Sequence, residues 1–311
     1  MWKIPTKEIS YEDWKAERRK GIGGSDAAAI AGVNKWKSPM RVYLEKIGEI
    51  DSPEQNEAMY WGRVMEDLIA AEYKKRTERH VRRCNYILIH PEYEWMIANI
   101  DRVIADAKLG PGVLECKNVS EYRASEWKDD NVPAEVYTQL QHYLAVTGYG
   151  WGVIAALIGG NKFFTREFER DEEFIKNLIE LEKDFWRRVE EKDPPPVDGS
   201  EDTDTVLNIL YPEPIPDTAI ELPADADTWI EEIEDLKIRI KELEEQKAER
   251  EQRLKAYLKD NEAGFTQKYR VFWKAVTSSR FDSKKFKEEQ SALYEKYLKE
   301  QSYRRLTIKE G

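Results

Sequence analysis

The sequence predicts a mixed α/β fold, and three observations carry that reading. Helix and strand signals alternate up to about residue 192, four strand signals cluster between residues 81 and 117, and helical stretches stand on both sides of that cluster. With 311 residues the chain is long enough for about two domains at roughly 150 residues each. Charged residues make up 36% against 41% hydrophobic, and the mean hydropathy is -0.75. No apolar stretch is long enough to cross a bilayer, so no membrane association is expected. MWKIPTKEIS at the N-terminus lacks the apolar core of a secretory signal, and Cys84 and Cys116 cannot make a disulfide framework. A soluble cytoplasmic protein with reduced thiols is the expectation.

Ser10 with Asp13 reads as a capping box opening a helix that runs to about Arg19. A second helix has Ser38 as its cap, Pro39 at its first position and Gly48 as its stop. A longer one spans about Gln55 to Thr77, with Trp61, Met65, Leu68 and Glu72 near one face by their spacing of three and four. Strands are expected at Val81 to His90, Glu94 to Ile100, Val103 to Ala107 and Gly112 to Lys117. Pro133 then opens a helix that Gly148 closes, two strands follow at Trp151 to Ile158 and Lys162 to Glu169, and a charged helix runs to about Lys192.

Charge divides the chain into three segments. Residues 1–198 carry 30 Lys+Arg and 36 Asp+Glu, residues 199–263 carry 8 and 19, and residues 264–311 carry 12 and 6. The first segment ends near the run Pro194, Pro195, Pro196, which cannot continue a helix. The second is an acidic linker leading to a helix from about Asp225 to Asn261. Its alternating four and three steps run through Trp229, Ile233, Leu236, Ile240, Leu243, Lys247, Arg250, Leu254 and Tyr257. Two basic steps interrupt that seam, which favours packing on its own domain or a neighbouring helix over a long coiled coil. The third segment reads as a strand-like GFTQKYRVFWKAV, a helix from about Asp282 to Lys299 and a strand-like RRLTIKE. Its basic residues interleave with Phe265, Tyr269, Phe272, Trp273, Phe281 and Phe286. Two readings stand: a surface for base stacking and phosphate contact, or a small subdomain with an ordinary core and solvated lysines. The formal net charge of -11 argues against a nucleic-acid partner until its distribution is known.

Chemistry concentrates in the first segment. In LECK at 114–117, Glu115 and Lys117 project from the same side of a strand, an acid beside a base that can bind a metal and hold a water. Asp101 ends the apolar run WMIANID, where a carboxylate needs a partner; a divalent cation shared with Glu115 supplies one. Glu66 lies in MYWGRVMEDL on a helix, and Gln139 and Tyr143 are one helical turn apart. Taken singly, each has a plain explanation: a solvated ion pair for E-x-K, a surface acid for Glu66, a neutral surface residue for Gln139. Their order within about 80 residues carries the signal.

That ordered set resembles the PD-(D/E)xK nuclease superfamily, and within it the YqaJ-like viral recombinase and lambda exonuclease family. The resemblance covers roughly residues 10–192 and rests on RRKGIGGSDAAAIAGVNKWKSP at 18–39, WGRVMED at 61–67, the Asp101 segment, LECK and QLQHY at 139–143. It implies a restriction-endonuclease-like core, a mixed central sheet flanked by helices, as an exonuclease domain over residues 1–198. Residues 199–263 (acidic linker and long helix) and 264–311 (basic α+β tail) are additions to it. It further implies a phage- or prophage-encoded 5′-to-3′ double-strand DNA exonuclease, acting on DNA ends with a single-strand annealing protein and assembling as a homo-oligomeric ring.

Carried over by position, Asp101, Glu115 and the backbone carbonyl of Cys116 would bind Mg2+, with Mn2+ as a substitute. Lys117 would orient the attacking water, Glu66 would complete the acidic pocket, and Gln139 would help hold the water or the scissile phosphate. The superfamily's proline before the aspartate is Ile100 here, which leaves the ligand atoms untouched. The resemblance also assigns recognition of a terminal 5′-phosphate to Arg19 and Ser25, with Arg18 as the neighbouring alternative. Glycines permit close backbone approach to a phosphate there, and the plain alternative is a tight turn between two helices. His80, His90 and His142 lack metal-ligand spacing, and two cysteines are too few for an iron–sulfur cluster. Two other functions stay open on the sequence: a sequence-specific endonuclease of the same superfamily, and a non-catalytic DNA-binding or scaffolding protein.

Overall fold

The computed structural model describes residues 2–53, 56–300 and 303–309. β1 (Trp2–Pro5) leads to α1 (Tyr11–Arg19), where the Ser10 hydroxyl accepts the Asp13 N–H at 3.0 Å. A short helix, α2 (Gly24–Ile30), follows the glycine turn. α3 (Pro39–Ile47) has the expected Ser38 cap and ends at Gly48, whose φ of 81° is the left-handed conformation that glycine adopts without strain. α4 (Glu57–Thr77) is capped by Asn56; Gln55, the expected start, lies outside the described residues.

Of the four residues spaced along one face of α4, Met65 packs partly against the core. Trp61 and Leu68 are exposed, and the helix buries Ile69, Ala70 and Tyr73 instead. Several stripes of this helix satisfy the three-and-four spacing, and the sheet selects one of them. The expected strand from Val81 to His90 is two strands, β2 (His80–Arg83) and β3 (Tyr86–Ile89), because the chain changes sheets between them. From Glu94 to Ile100 only β4 (Ile97–Ala98) is strand. β5 (Arg102–Asp106) and β6 (Gly110–Val119) form a hairpin, followed by a 3-10 helix (Glu121–Trp127), α5 (Ala134–Thr147), β7 (Trp151–Ile158), β8 (Lys162–Glu169) and α6 (Glu172–Glu191).

The central sheet has the order β2-β5-β6-β7-β8, antiparallel except for the parallel pair β6–β7, so the expected mixed sheet is present. β1, β3 and β4 form a smaller sheet. Side chains alternate across the pleat. Leu114 and Cys116 of β6 pack with Ile69, Ala70 and Tyr73 of α4 on one face. Val113 and Val119 pack with Leu140 and Leu144 of α5 on the other. At the crossing of α5 and α6, buried His142 hydrogen-bonds Glu182 through Nδ1 (2.8 Å) and the Ile97 carbonyl through Nε2 (2.9 Å), so this histidine ties three elements together.

A third cluster joins α2, α3 and α6 around Ala27, Val42, Leu178 and Phe185, and it includes Val206 of α7 (Glu201–Leu210). Asp202 of α7 accepts the Ser38 N–H at 2.8 Å and the Arg41 Nε–H at 2.6 Å. The chain accordingly divides after Tyr211. This corrects the boundary expected after residue 198, since α7 belongs with the first unit. Residues 212–311 group as one unit, where the sequence suggested two segments.

In that second unit α8 (Ala226–Leu258) buries only Ala226 and Leu258. Leu236, Ile240, Leu243 and Leu254 are exposed, so of the two expected arrangements, packing on its own domain or on a neighbouring helix, the first does not occur. β9 (Ala263–Phe265) and β10 (Arg270–Phe272) form an antiparallel hairpin. The expected helix from Asp282 to Lys299 is two, α9 (Ser283–Glu289) and α10 (Ser291–Tyr297), interrupted at Gln290, whose φ of -135° leaves the helical range. Residues 303–309 are not a strand, and Glu310 lies outside the described residues.

Asp26 is the most heavily paired buried acid near the N-terminus. Its carboxylate meets Lys37 at 2.9 Å, Lys46 at 2.7 Å and Arg18 at 3.7 Å, and accepts the Gly23 N–H at 3.2 Å. Burial opposes its ionisation, but the three cations hold its pKa well below the usual carboxylate range. Burial also works against the charge on both lysines. Lys37, which shares Glu45 as well, ends above its ordinary pKa; Lys46, with Arg18 and Lys37 nearby, ends below. Asp26→Asn leaves buried Lys46 without its counter-charge and should cost about 3–5 kcal/mol in denaturant unfolding. The contribution of Asp26 is in place above its unfolded pKa of about 3.9 and is lost as pH falls through the lowered native value. Acid titration of unfolding should therefore show the wild-type advantage over the variant shrinking below about pH 4.

Candidate active site

The pairing of β5 with β6 ends at Arg102 opposite Leu114. Beyond that point the Asp101 carboxylate stands in for a strand carbonyl and accepts the Cys116 N–H at 2.8 Å. The N–H and C=O of one strand residue face the same neighbour, so the Cys116 carbonyl is directed toward the same gap. Glu115 and Lys117 alternate onto the opposite face from Cys116, under α5. There Lys117 Nζ donates to Glu115 Oε1 and to Gln139 Oε1, each at 2.8 Å. Gln139 Nε2 donates to Glu115 Oε1 at 2.8 Å and to the Tyr143 hydroxyl at 2.9 Å.

Glu66, one turn before the buried stretch of α4, completes the group from the other side. Burial raises the pKa of Glu66, and the charge of Glu115 raises it further. Burial lifts Asp101 well above the carboxylate range, with Glu115 and Glu66 adding repulsion. Burial lowers Lys117, yet Glu115 and the other acids more than offset it and hold the amine above its ordinary value. The ammonium is thus a fixed cation. The thiol of Cys116 is pushed far up, first by burial and then by the acids, so it has no nucleophilic character.

The chemistry of a divalent cation fits these residues. Three acids crowd one cleft, and Glu115 Oε2 is buried without a hydrogen-bond partner. A buried carboxylate oxygen left unpaired is costly, and a hard cation is the partner that satisfies it. Among the described residues no three His, Cys, Asp or Glu side chains converge tightly enough to hold an ion unaided; a bound cation would need the Cys116 carbonyl and water to complete its oxygen ligands.

The glycine turn is an integral part of the cleft. A Cβ on Gly24 would stand 2.6 Å from Tyr143 Cε1 and 2.8 Å from Gln139 Cγ, so α2 can lie against α5 only with glycine there. Ser25 and Arg18 line the same cleft of about 390 Å³ as Glu66, Asp101 and Gln139. Arg18 Nη2 donates to Ser25 Oγ at 3.3 Å and its guanidinium lies 5.0 Å from the Trp14 ring centroid. Arg19 pairs with Asp51 at 2.5 Å. Of the expected pair and its neighbouring alternative, Arg18 is the one that hydrogen-bonds Ser25, because adjacent residues on a helix point about 100° apart. A second cavity, of about 430 Å³, shares Arg18 and Ser25 and adds Arg19, Lys37 and Lys46. Sequence reasoning did not find those lysines, because only the tertiary contact with Asp26 brings them near. Tyr143 was marked by its helical spacing from Gln139.

The YqaJ-like viral recombinase domain model matches residues 13–150, which contain every one of these side chains. The uncharacterized protein YqaJ of Bacillus subtilis strain 168 is 43% identical over 307 residues, covering 97% of this chain and 95% of that protein. Among solved structures, the alkaline exonuclease LHK-Exo of Laribacter hongkongensis superposes with a TM-score of 0.50 at 21% identity. It covers 58% of this chain and 94% of that one, and its complex with dAMP matches equally. The fold is therefore shared with an alkaline exonuclease, and the chain belongs to the YqaJ-like viral recombinase domain family.

Proposed function

We propose that this protein is a metal-dependent exodeoxyribonuclease that degrades double-stranded DNA from its ends, 5′ to 3′, for phage-type recombination by strand annealing. The observation that carries the reading is the Glu115–Lys117–Gln139 network beside an unpartnered Glu115 oxygen, with Asp101 and Glu66 across the gap. Asp101, Glu115 and the Cys116 carbonyl would hold Mg2+, or Mn2+ in its place, with Glu66 completing a second position; the cation would stabilise charge on the phosphate during hydrolysis. Lys117 has three donors, and two are taken by Glu115 and Gln139. The third holds the attacking water, and the raised pKa makes the amine a positioning cation rather than a proton acceptor. Gln139 locks Lys117 and Glu115 in one geometry. Arg18 and Ser25 supply a charged fork and a hydroxyl for the terminal 5′-phosphate. Assembly into a ring, the annealing partner and a cytoplasmic phage setting are part of this reading on the strength of the family resemblance.

With magnesium, linear duplex should be lost while covalently closed circles persist, and excess chelator should stop the loss. Lys117→Ala should reduce the rate by about 10²-fold or more at unchanged duplex binding. Nicking or cutting of closed circles would replace this reading with an endonuclease, and degradation indifferent to chelator would remove the metal from it.

Gly24→Ala should lower the same rate by at least about tenfold, since the methyl displaces Gln139 from its partners, and far-UV circular dichroism should stay native.

Comparing 5′-phosphorylated with dephosphorylated ends, Arg18→Ala should erase the preference for phosphate, and Arg19→Ala should retain it. The opposite result would return the phosphate site to Arg19.

A further inference from the structure

The tail of the chain holds a set of aromatic side chains that its own fold does not bury. The hairpin of β9 and β10 has two faces. Gly264 and Val271 pair across it on the inner face, where Gly264 lies against Leu258 at the end of α8; a Cβ there would stand 2.9 Å from Leu258 Cδ2. Phe265, Arg270 and Phe272 share the outer face, since Arg270 pairs with Phe265 and strand residues two apart point the same way. Phe265 is 88% exposed and Phe272 60%. Lys274 Nζ stands 5.3 Å from the Phe272 ring centroid, and Lys255 Nζ 6.0 Å from that of Trp273, itself half exposed. The reading of these aromatics as an ordinary core therefore fails.

An exposed aromatic face interleaved with cations, in a segment with 12 Lys+Arg against 6 Asp+Glu, is matched in charge and shape by one kind of ligand. Unpaired bases present flat faces for stacking and a phosphate chain for the cations, whereas paired bases in a duplex are already stacked on one another. We propose that the outer face of the β9–β10 hairpin, with Lys274, binds single-stranded DNA. Phe265 and Phe272 stack on successive bases, and Arg270 and Lys274 contact the intervening phosphates. Stacking is tolerant of sequence, so the surface has no base preference beyond stacking strength. That the strand is the one left by end resection rests on the function proposed above; the binding itself does not.

The test uses the full chain in excess chelator, where no cleavage occurs, and reads fluorescence anisotropy of a labelled oligothymidylate. The double variant Phe265→Ala/Phe272→Ala should weaken binding by about fivefold or more, with duplex affinity and the magnesium-dependent loss of duplex unchanged. Both rings are exposed, so the thermal midpoint should hold. Independently, Arg270→Gln should lower the slope of log affinity against log salt by about 0.7. Oligothymidylate affinity that is the same in the wild type, the double variant and Arg270→Gln overturns the proposal and leaves the face to a protein partner. A failed nuclease reading would instead show as intact duplex with magnesium while oligothymidylate binding persists.

Discussion

The site depends on the place where β5 stops pairing with β6. Past Arg102 the sheet opens, and the Asp101 carboxylate takes the Cys116 N–H that a neighbouring strand would otherwise have accepted. Three consequences follow from that one substitution of side chain for backbone. The carboxylate is fixed at the edge of the core, the Cys116 carbonyl is left facing the gap, and Glu115 is carried under α5 by the pleat. Burial, with the Glu115 charge nearby, then raises the pKa of Asp101 and of Glu66, the condition under which a cation would be a favourable partner.

α2 completes what the sheet begins. The helix is short and has little cohesion of its own. It is held by the Asp26 cluster on one side and by close contact of Gly24 with α5 on the other. The same turn therefore sets the position of Gln139 and presents Ser25 and Arg18 to the cleft. Stability and chemistry share residues here, which is why a small side chain at Gly24 and a charged one at Asp26 are equally constrained.

The net charge of -11 at first argues against a nucleic-acid partner. Its distribution removes the objection. The acidic excess sits in residues 199–263, the basic excess in the tail, and part of the deficit before residue 198 consists of the crowded acids Glu66, Asp101 and Glu115. Charge segregated in this way along the chain leaves net charge no ground for excluding a phosphate-bearing partner.

Helix ends marked by Ser10, Ser38, Pro39, Gly48 and Gly148 were legible because capping and left-handed turns are local chemistry, decided within one turn of chain. The central strands from Arg102 onward were legible as apolar, β-branched runs bounded by turn residues, and the order Glu66, Asp101, Glu115, Lys117, Gln139 from its match to a family motif. Four features were not. The buried stripe of α4 depended on which of several equivalent faces met the sheet. The break at Cys84 and Asn85 depended on a change of sheet that leaves no mark on hydropathy. The choice of Arg18 over Arg19 depended on helix phase, and α7 joined the first unit through Asp202 reaching back to Ser38 and Arg41. The sequence by itself determined the local elements and the residue types of the site, since propensity and spacing act over a few residues. The tertiary structure decided which side chains meet, because contacts between residues 26 and 46 or 115 and 139 arise only when separate elements pack.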